Sequence, residues 1–376
     1  MITRQLSLEQ MPEYPFEQEY PLEKLVFFDI ETTGFAANST YLYLIGCTFY
    51  KDSSFFLIQW FAEDIKEEPL LLSSFFEFLK DYEILIHYNG SGFDLPYLLK
   101  KCAQWKLDYS FDHLISIDIY KKLLPLKKLL QLPSLRLKSI ETFLGIQRKD
   151  LFDGGELIQV YQSYLGKRHY ELLRSRRVPD EHSTEPSQAE ELLGLLLLHN
   201  EDDLRGLLLV SSVLSYTDLL EKPIRILQAQ VEGAHFLIRF QLSSSLPARI
   251  SGGNDLARLT AEGRDAALEI QIYDGELKYF YENYRDYYYL TSEDSVIHKS
   301  LAQYVDKEFR IKAKPSNCYT RKKGLFTPQY EPLFAPSFRL DYQSKLSFLE
   351  IHTDFLLQEE KLEEYVKHIL RYITGT

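Results

Sequence analysis

Little sulfur and no long apolar run mark this chain of 376 residues. Its three cysteines, Cys47, Cys102 and Cys318, are odd in number and widely spaced, with no C-x-x-C pair. That excludes a zinc ribbon or a disulfide framework and fits plain thiols in a reducing cytoplasm. No stretch of about 18 apolar residues is free of charge, so no transmembrane helix is expected. The first residues carry Arg4, Glu9 and Glu13 and no apolar segment, so no secretory signal is expected, and a cytoplasmic location is. Tryptophan is scarce, with 2 residues, whereas 27 tyrosines and 24 phenylalanines supply strands and cores. Cations are in deficit: 43 Lys and Arg face 55 Asp and Glu, a net charge of −12. Such a balance argues against a protein that simply coats nucleic acid. It leaves room for an enzyme that gathers metal ions with carboxylates and meets a polyanion on a local basic face.

What is present suggests two domains, at about 100–200 residues per domain. Residues 1–22 are polar, with Pro12 and Pro15, and read as an N-terminal arm. Leu25–Phe28 is a short apolar run typical of a buried strand. Two β-rich runs, 41–50 and 54–61, are joined by Lys51-Asp52-Ser53 as in a hairpin. Helical spacing over 67–81, a strand at 83–87, a helix over 94–105 and a strand at 113–118 complete a mixed sheet flanked by helices. Residues 119–175 read as mostly helical, 176–190 as an exposed polar loop, and 189–220 as a long helix ended by Glu221-Lys222-Pro223. We therefore expect one α/β domain over 23–221 and a smaller α+β domain over 222–376. In the latter, 224–242 alternates like strands with a turn near Gly233, and Asp274-Gly275 reads as a hairpin tip. A final helix is expected over 346–376, broken near Thr353.

Three segments carry chemistry. In Phe28-Asp29-Ile30-Glu31-Thr32-Thr33-Gly34, the two acids stand at i and i+2 after an apolar strand and point to one face. Two such carboxylates repel unless a cation lies between them, and a divalent metal is the usual solution. Thr32, Thr33 and Gly34 turn the chain and are expected to leave backbone N–H groups open. In His87-Tyr88-Asn89-Gly90-Ser91-Gly92-Phe93-Asp94, a strand ends, two glycines make a loop and Asp94 starts a helix, at the same sheet edge as Asp29. In His199-Asn200-Glu201-Asp202-Asp203-Leu204, His199 and Asp203 share one face of a leucine-rich helix. Acids there are costly to bury unless paired or metal-bound; Glu201 and Asp202 read as a solvated stripe. Asp118 reads as a helix N-cap rather than a ligand.

Together these segments resemble the DEDD superfamily of 3′–5′ exonucleases, which has the ribonuclease-H-like fold. The resemblance covers residues 23–215. FDIETTG matches the first motif and NGSGFDLPYL the second. The third, HNEDDL, has the spacing of the tyrosine subclass but carries a histidine, similar to bacterial predicted exonucleases of the YprB type. The resemblance implies a two-metal-ion phosphodiesterase. Asp29 would bridge two Mg²⁺ or Mn²⁺ ions about 3.5–4 Å apart. Glu31 and Asp203 would complete one site and Asp94 the other, while His199 would orient or deprotonate the attacking water. Asn89 and the backbone of Thr32–Gly34 would hold the terminal nucleotide.

Residues 119–140 hold six cations and no acid, Lys121, Lys122, Lys127 and Lys128 among them, and are the expected contact to a phosphate backbone. Residues 167–177 and Arg321-Lys322-Lys323, the latter beside Tyr319 and Phe326, are further basic clusters; if they line one groove, Tyr287-Tyr288-Tyr289 and His298-Lys299 of the second domain would extend it. The leading expectation is a metal-dependent 3′–5′ exonuclease acting on single-stranded nucleic acid. The rivals are a catalytically inactive module of the same fold that binds nucleic acid, and an endonuclease. The four-acid set argues against an inactive module, since a scaffold has no need of clustered carboxylates.

Overall fold

A computed structural model describes residues 1–149, 154–175 and 186–375. The chain divides into two compact units, Met1–Leu124 with Leu132–Leu214, and Pro125–Gln131 with Ser215–Thr376.

The first unit runs β1 (Ile2–Leu8), β2 (Leu25–Thr32), β3 (Leu42–Lys51), β4 (Ser54–Phe61), α1 (Glu68–Leu79), β5 (Ile84–His87), α2 (Asp94–Trp105), β6 (Ile115–Asp118) and α3 (Ile119–Leu123). A short helix α4 (Lys127–Leu130) belongs to the second unit; α5 (Leu137–Leu144), α6 (Gly154–Ser175) and α7 (Gln188–Val210) return to the first. Six strands form one sheet in the order β1-β4-β3-β2-β5-β6. β2, β5 and β6 are mutually parallel and the other pairs antiparallel. The hairpin between β3 and β4 turns on Asp52 and Ser53, both at positive φ, as a two-residue tip of this hand requires.

Alternation sorts the two faces of the sheet. Val26, Phe28 and Ile30 of β2 pack with Phe49, Trp60, Leu71, Phe75 and Leu98 on the side of α1 and α2. On the other side, Tyr43, Leu44 and Phe61 meet Leu157, Tyr161 and Tyr164 of α6 and Leu196 of α7. Helices therefore cover both faces, and β2 is a central strand buried on both sides, which accounts for its unbroken apolar run. The arrangement is a ribonuclease-H-like mixed sheet.

The second unit is mostly antiparallel. α8 (Ser215–Glu221) precedes a five-stranded sheet of β7 (Arg225–Glu232), β8 (His235–Gln241), β9 (Ile250–Gly253), β10 (Ala257–Glu262) and β11 (Asp265–Gln271), ordered β7-β8-β11-β10-β9. β12 (Tyr273–Phe280), β13 (Tyr287–Leu290), β14 (Ser295–His298), α9 (Lys299–Ala302), β15 (Arg310–Lys312), β16 (Tyr319–Gln329) and β17 (Ser347–Glu350) follow. They form two three-stranded sheets, β12-β16-β17 and β14-β13-β15. α10 (Thr353–Leu356) and α11 (Glu359–Thr374) close the chain.

Several expectations need correcting. Residues 2–8 are not a loose arm: β1 pairs along its whole length with β4 and completes the sheet. Asp274-Gly275 is not a hairpin tip. It lies inside β12, with Asp274 opposite Leu325 and Gly275 opposite Gly324, because the long strand β16 offers a continuous partner that overrides local turn preference. Residues 347–350 form β17 rather than the start of the last helix, held by β16. The expected polar loop at 176–190 lies, for residues 176–185, outside the described residues, as do Arg176 and Arg177 of the second basic cluster. All three cysteines are buried and unpaired.

Candidate active site

Three parallel strands bring chemistry to one sheet edge. Asp29 and Glu31 lie at the C-terminal end of β2, the 88–93 loop follows β5, and Asp118 ends β6 directly opposite His87. α7 packs over β2 on the face that carries Asp29 and Glu31. Its N-terminus is set by a capping box, in which Ser187 accepts from the Glu190 amide and Glu190 reaches back to the Ser187 amide.

Close approach of α7 to the sheet depends on Gly46, the register partner of Asp29 on β3. A Cβ at this position would fall 2.0 Å from Asn200 Oδ1 and 2.5 Å from Leu204 Cδ1. The empty space lets Asn200 reach across. Its Nδ2 donates to Asp29 Oδ2 at 3.0 Å, and its Oδ1 accepts from buried Gln59 Nε2, also at 3.0 Å. Gln59 donates as well to the Leu197 carbonyl. Since Gln59 can only donate from Nε2, the Asn200 amide is oriented with its N–H groups toward Asp29.

His199 and Asp203 face the same edge. His199 Nε2 lies 3.6 Å from Glu31 Oε1 and 3.5 Å from Asp203 Oδ2. Among the described residues, Glu31, His199 and Asp203 form a group with ligand atoms all within 4.8 Å of one another. Asp29 and Asp94 join this group electrostatically. Desolvation, reinforced by the charges of Asp203 and Asp94, holds the Asp29 carboxyl well above its ordinary range; the Asn200 hydrogen bond and Arg148 oppose this. Burial pushes Asp94 up to about 7, helped by the charge of Asp118. The site thus contains more carboxylate than its own surroundings can hold ionised. Oxygen donors of this kind suit a hard divalent cation.

Among the described residues, one guanidinium enters the group. Arg148 donates to both oxygens of Glu141 at 3.0 Å and to Asp203 Oδ1. Burial disfavours its charge, but Asp203 and Glu141 outweigh that and keep its pKa above the usual value. Glu141 is buried on α5 against Gly206 of α7, where a Cβ would fall 2.2 Å from Glu141 Oε1. The bare backbone at 206 admits Glu141, which aims Arg148 at Asp203.

The other anticipated residues are placed as follows. Asp118 caps α3 through the Lys121 amide, and it also accepts from the amides of Asn89 and Ser91, so it braces the loop that leads to Asp94. His87 sits beneath this loop. Its Nδ1 accepts from the Gly90 amide and its Nε2 meets Ser116 Oγ at 2.7 Å, while burial lowers its pKa to about 4. Asn89 is exposed at the loop tip with φ of 62°. The Thr33 amide is not open as expected: it donates to the Tyr41 carbonyl at 2.8 Å, and Thr33 Oγ1 accepts from the Tyr41 amide. Thr32 Oγ1 likewise donates to the Gly34 carbonyl, so this turn is closed by its own chain. Lys121 and Lys122 are exposed on α3 in the first unit, whereas Lys127 and Lys128 lie on α4 in the second. Glu201 and Asp202 are not a solvated stripe. Both are buried; Glu201 pairs with Arg205 at 2.9 Å and Arg4 at 3.0 Å, and Asp202 accepts from the Lys149 amide.

Residues 26–215 match the RNase H superfamily profile. The chain belongs to this superfamily. Solved structures similar to this RNase H superfamily member include Escherichia coli exonuclease I in complex with a dA16 oligonucleotide. The identity is 15%, the TM-score 0.27, and the match covers 41% of this chain and 43% of that one. Another is the family B DNA polymerase from the hyperthermophilic archaeon Pyrobaculum calidifontis, at 13% identity and a TM-score of 0.33, covering 71% of this chain and 35% of that one. The chain therefore spans less than half the length of either structure. No curated protein matches it in sequence. No described helix is long and apolar enough to cross a membrane.

Proposed function

We propose that this chain is a divalent-metal-dependent nuclease of the DEDD type, YprB-like in its third motif, that removes nucleotides from the 3′ end of single-stranded nucleic acid. The observation that carries the reading is the convergence of Asp29, Glu31, Asp94 and Asp203 with His199 at one sheet edge, with Arg148 as the cation that pairs there. Asp29, Glu31, Asp94 and Asp203 would hold two Mg²⁺ or Mn²⁺ ions. When bound, such ions polarise the phosphodiester and acidify water.

The chain's own residues would do the rest. Asn200, locked by Gln59, fixes the rotation of the Asp29 carboxylate. His199, set between Glu31 and Asp203, takes the proton of the attacking water at Nε2. Water oxygen bonds to phosphorus as the bond from phosphorus to the 3′ oxygen breaks. Glu141 and Arg148 position Asp203 from the far side. Asp118 and His87 hold the loop that delivers Asp94 and presents Asn89 toward the terminal nucleotide.

The test is digestion of 5′-labelled single-stranded DNA and RNA, with closed circular strands alongside, in Mg²⁺, Mn²⁺ or EDTA. A ladder of fragments that keep the 5′ label, intact circles and no reaction in EDTA are expected. Cleavage of circles would assign an endonuclease, and cleavage in EDTA would remove metal from the account.

A further inference from the structure

The second unit holds a cavity of about 360 Å³ walled by tyrosines and closed by a basic strand. Tyr281 and Tyr287 line it with parallel rings, their centroids 4.8 Å apart and planes at 18°. Tyr319 lines another part, with Lys278 Nζ 4.5 Å from its ring centroid. Asp294, at φ of 46°, ties the wall together. It accepts from the hydroxyls of Tyr289 and Tyr319 and pairs with Arg321. Its charge is thereby neutralised and the rings are held in place.

The surroundings are richer in cations than the chain as a whole. Residues 310–323 contain Arg310, Lys312, Lys314, Arg321, Lys322 and Lys323 and no acid, in a chain of net charge −12. Lys312 stands opposite Tyr288 and shares its face, away from Tyr287, whereas Lys278 stands opposite Arg321 on the cavity side. Lys323 follows Arg321 by two residues on the same face of β16. Lys323 is exposed and Lys278 half-buried, and among the described residues neither makes an ion pair.

We propose that this cavity binds one base of a single-stranded nucleic acid, with Lys278 and Lys323 along its backbone phosphates. Half-buried tyrosine faces beside unpaired lysines are what a single strand needs: a π-surface for a base and a positive track for its phosphates. A core stack would have no cavity beside it, and a solvated basic face would have no need of ordered rings. Two further acids stand nearby: Glu293 in the lining, and Glu276, which stands opposite Lys323 and pairs with Arg321 at 3.2 Å. The proposal deepens the nuclease reading and rests on it for the substrate class: the strand held here is the strand to be degraded.

The experiment uses the full chain in EDTA, with fluorescein-labelled dT20 and U20 followed by anisotropy. Tyr287→Ala should weaken binding by about fivefold or more, and Tyr287→Phe by less than about twofold, because the ring is what stacks. Lys278→Gln with Lys323→Gln should weaken binding about tenfold and lower the salt slope by roughly 1.4, two phosphates' worth on a single strand. Neither lysine is buried, so the double variant keeps the test valid even where Tyr287→Ala misfolds. Equal losses for dT20 and U20 assign the site to bases and phosphates, and a loss confined to U20 assigns it to RNA. Unchanged affinity and slope in the lysine variant overturn the proposal, as does equal loss in Tyr287→Phe and Tyr287→Ala.

A mononucleotide ester, thymidine 5′-(p-nitrophenyl phosphate) with Mn²⁺, separates the two readings. If it is hydrolysed by all variants while oligonucleotide binding stays unchanged, the nuclease stands and this site falls. If the wild type fails to hydrolyse it but binds oligonucleotides in a Tyr287-dependent way, this site stands and the nuclease reading falls.

Discussion

Glu68 on α1 and carboxylates at the sheet edge are both buried, and they are treated oppositely. Glu68 on α1 is 1% exposed and fully answered. Lys101 Nζ lies 3.0 Å from its Oε1, the Leu42 amide donates to it at 2.8 Å and Trp105 Nε1 at 2.7 Å. At the sheet edge, four carboxylates converge on one imidazole and one guanidinium, and burial with mutual repulsion drives Asp29 and Asp94 toward protonation. Where an acid serves only the fold, the fold brings its own cation. Where it does not, the missing charge marks a place for something from outside.

Substitutions at the two places should separate these roles. The largest effect is expected at Asp29. Asp29→Asn should cut hydrolysis about 10⁴-fold, roughly 5 kcal/mol of barrier, while the metal-free protein gains stability through loss of a repelled charge. A variant that loses stability instead makes Asp29 a structural acid like Glu68. Next is His199→Ala, for which single-turnover rates should fall about 10²–10⁴-fold with metal binding kept. Full activity would leave water activation to other groups.

At the compensated place the readout reverses. Lys101→Met strands Glu68 and should cost about 3–5 kcal/mol in urea unfolding, with the rate per folded molecule unchanged. A small cost there would erase the contrast. The smallest effect is on pH dependence. Ordinary carboxyls ionise near 4 in the unfolded chain, whereas Asp94 does so at about 7 in the fold and Asp29 is also raised. Over that interval the native state holds more protons than the unfolded one. Stability in EDTA should therefore fall as pH rises from about 4 to about 7. Asp94→Asn should flatten this slope; a slope that is the same in the variant contradicts the assignment.

Much of the first unit was legible because its signals are local: the apolar run of β2, the Asp52-Ser53 hairpin and the spacing of α1 each need only neighbours in sequence. The acids were legible for the same reason, since strand and helix periodicity alone put Asp29 with Glu31 and His199 with Asp203. Their supporting residues were not. Gln59 meets Asn200 across 141 residues, Asn200 meets Asp29 across 171 and Arg148 meets Asp203 across 55, and no spacing rule links them. Asn200 stood inside a quoted motif without a role, because its task depends on the space at Gly46 on another strand. The second unit was less legible still, since its strand partners lie far apart in sequence and Asp274-Gly275 sends a turn signal that pairing with β16 overrules.

The central claim is that the carboxylate cluster at the sheet edge exists to hold divalent cations. Titration calorimetry with Mn²⁺ at pH 8 on the wild type, Asp29→Asn and Lys101→Met tests it most directly. The account predicts binding of about two ions to the wild type and to Lys101→Met, and severe loss in Asp29→Asn. Absence of binding to the wild type, or equal binding by Asp29→Asn, would contradict it.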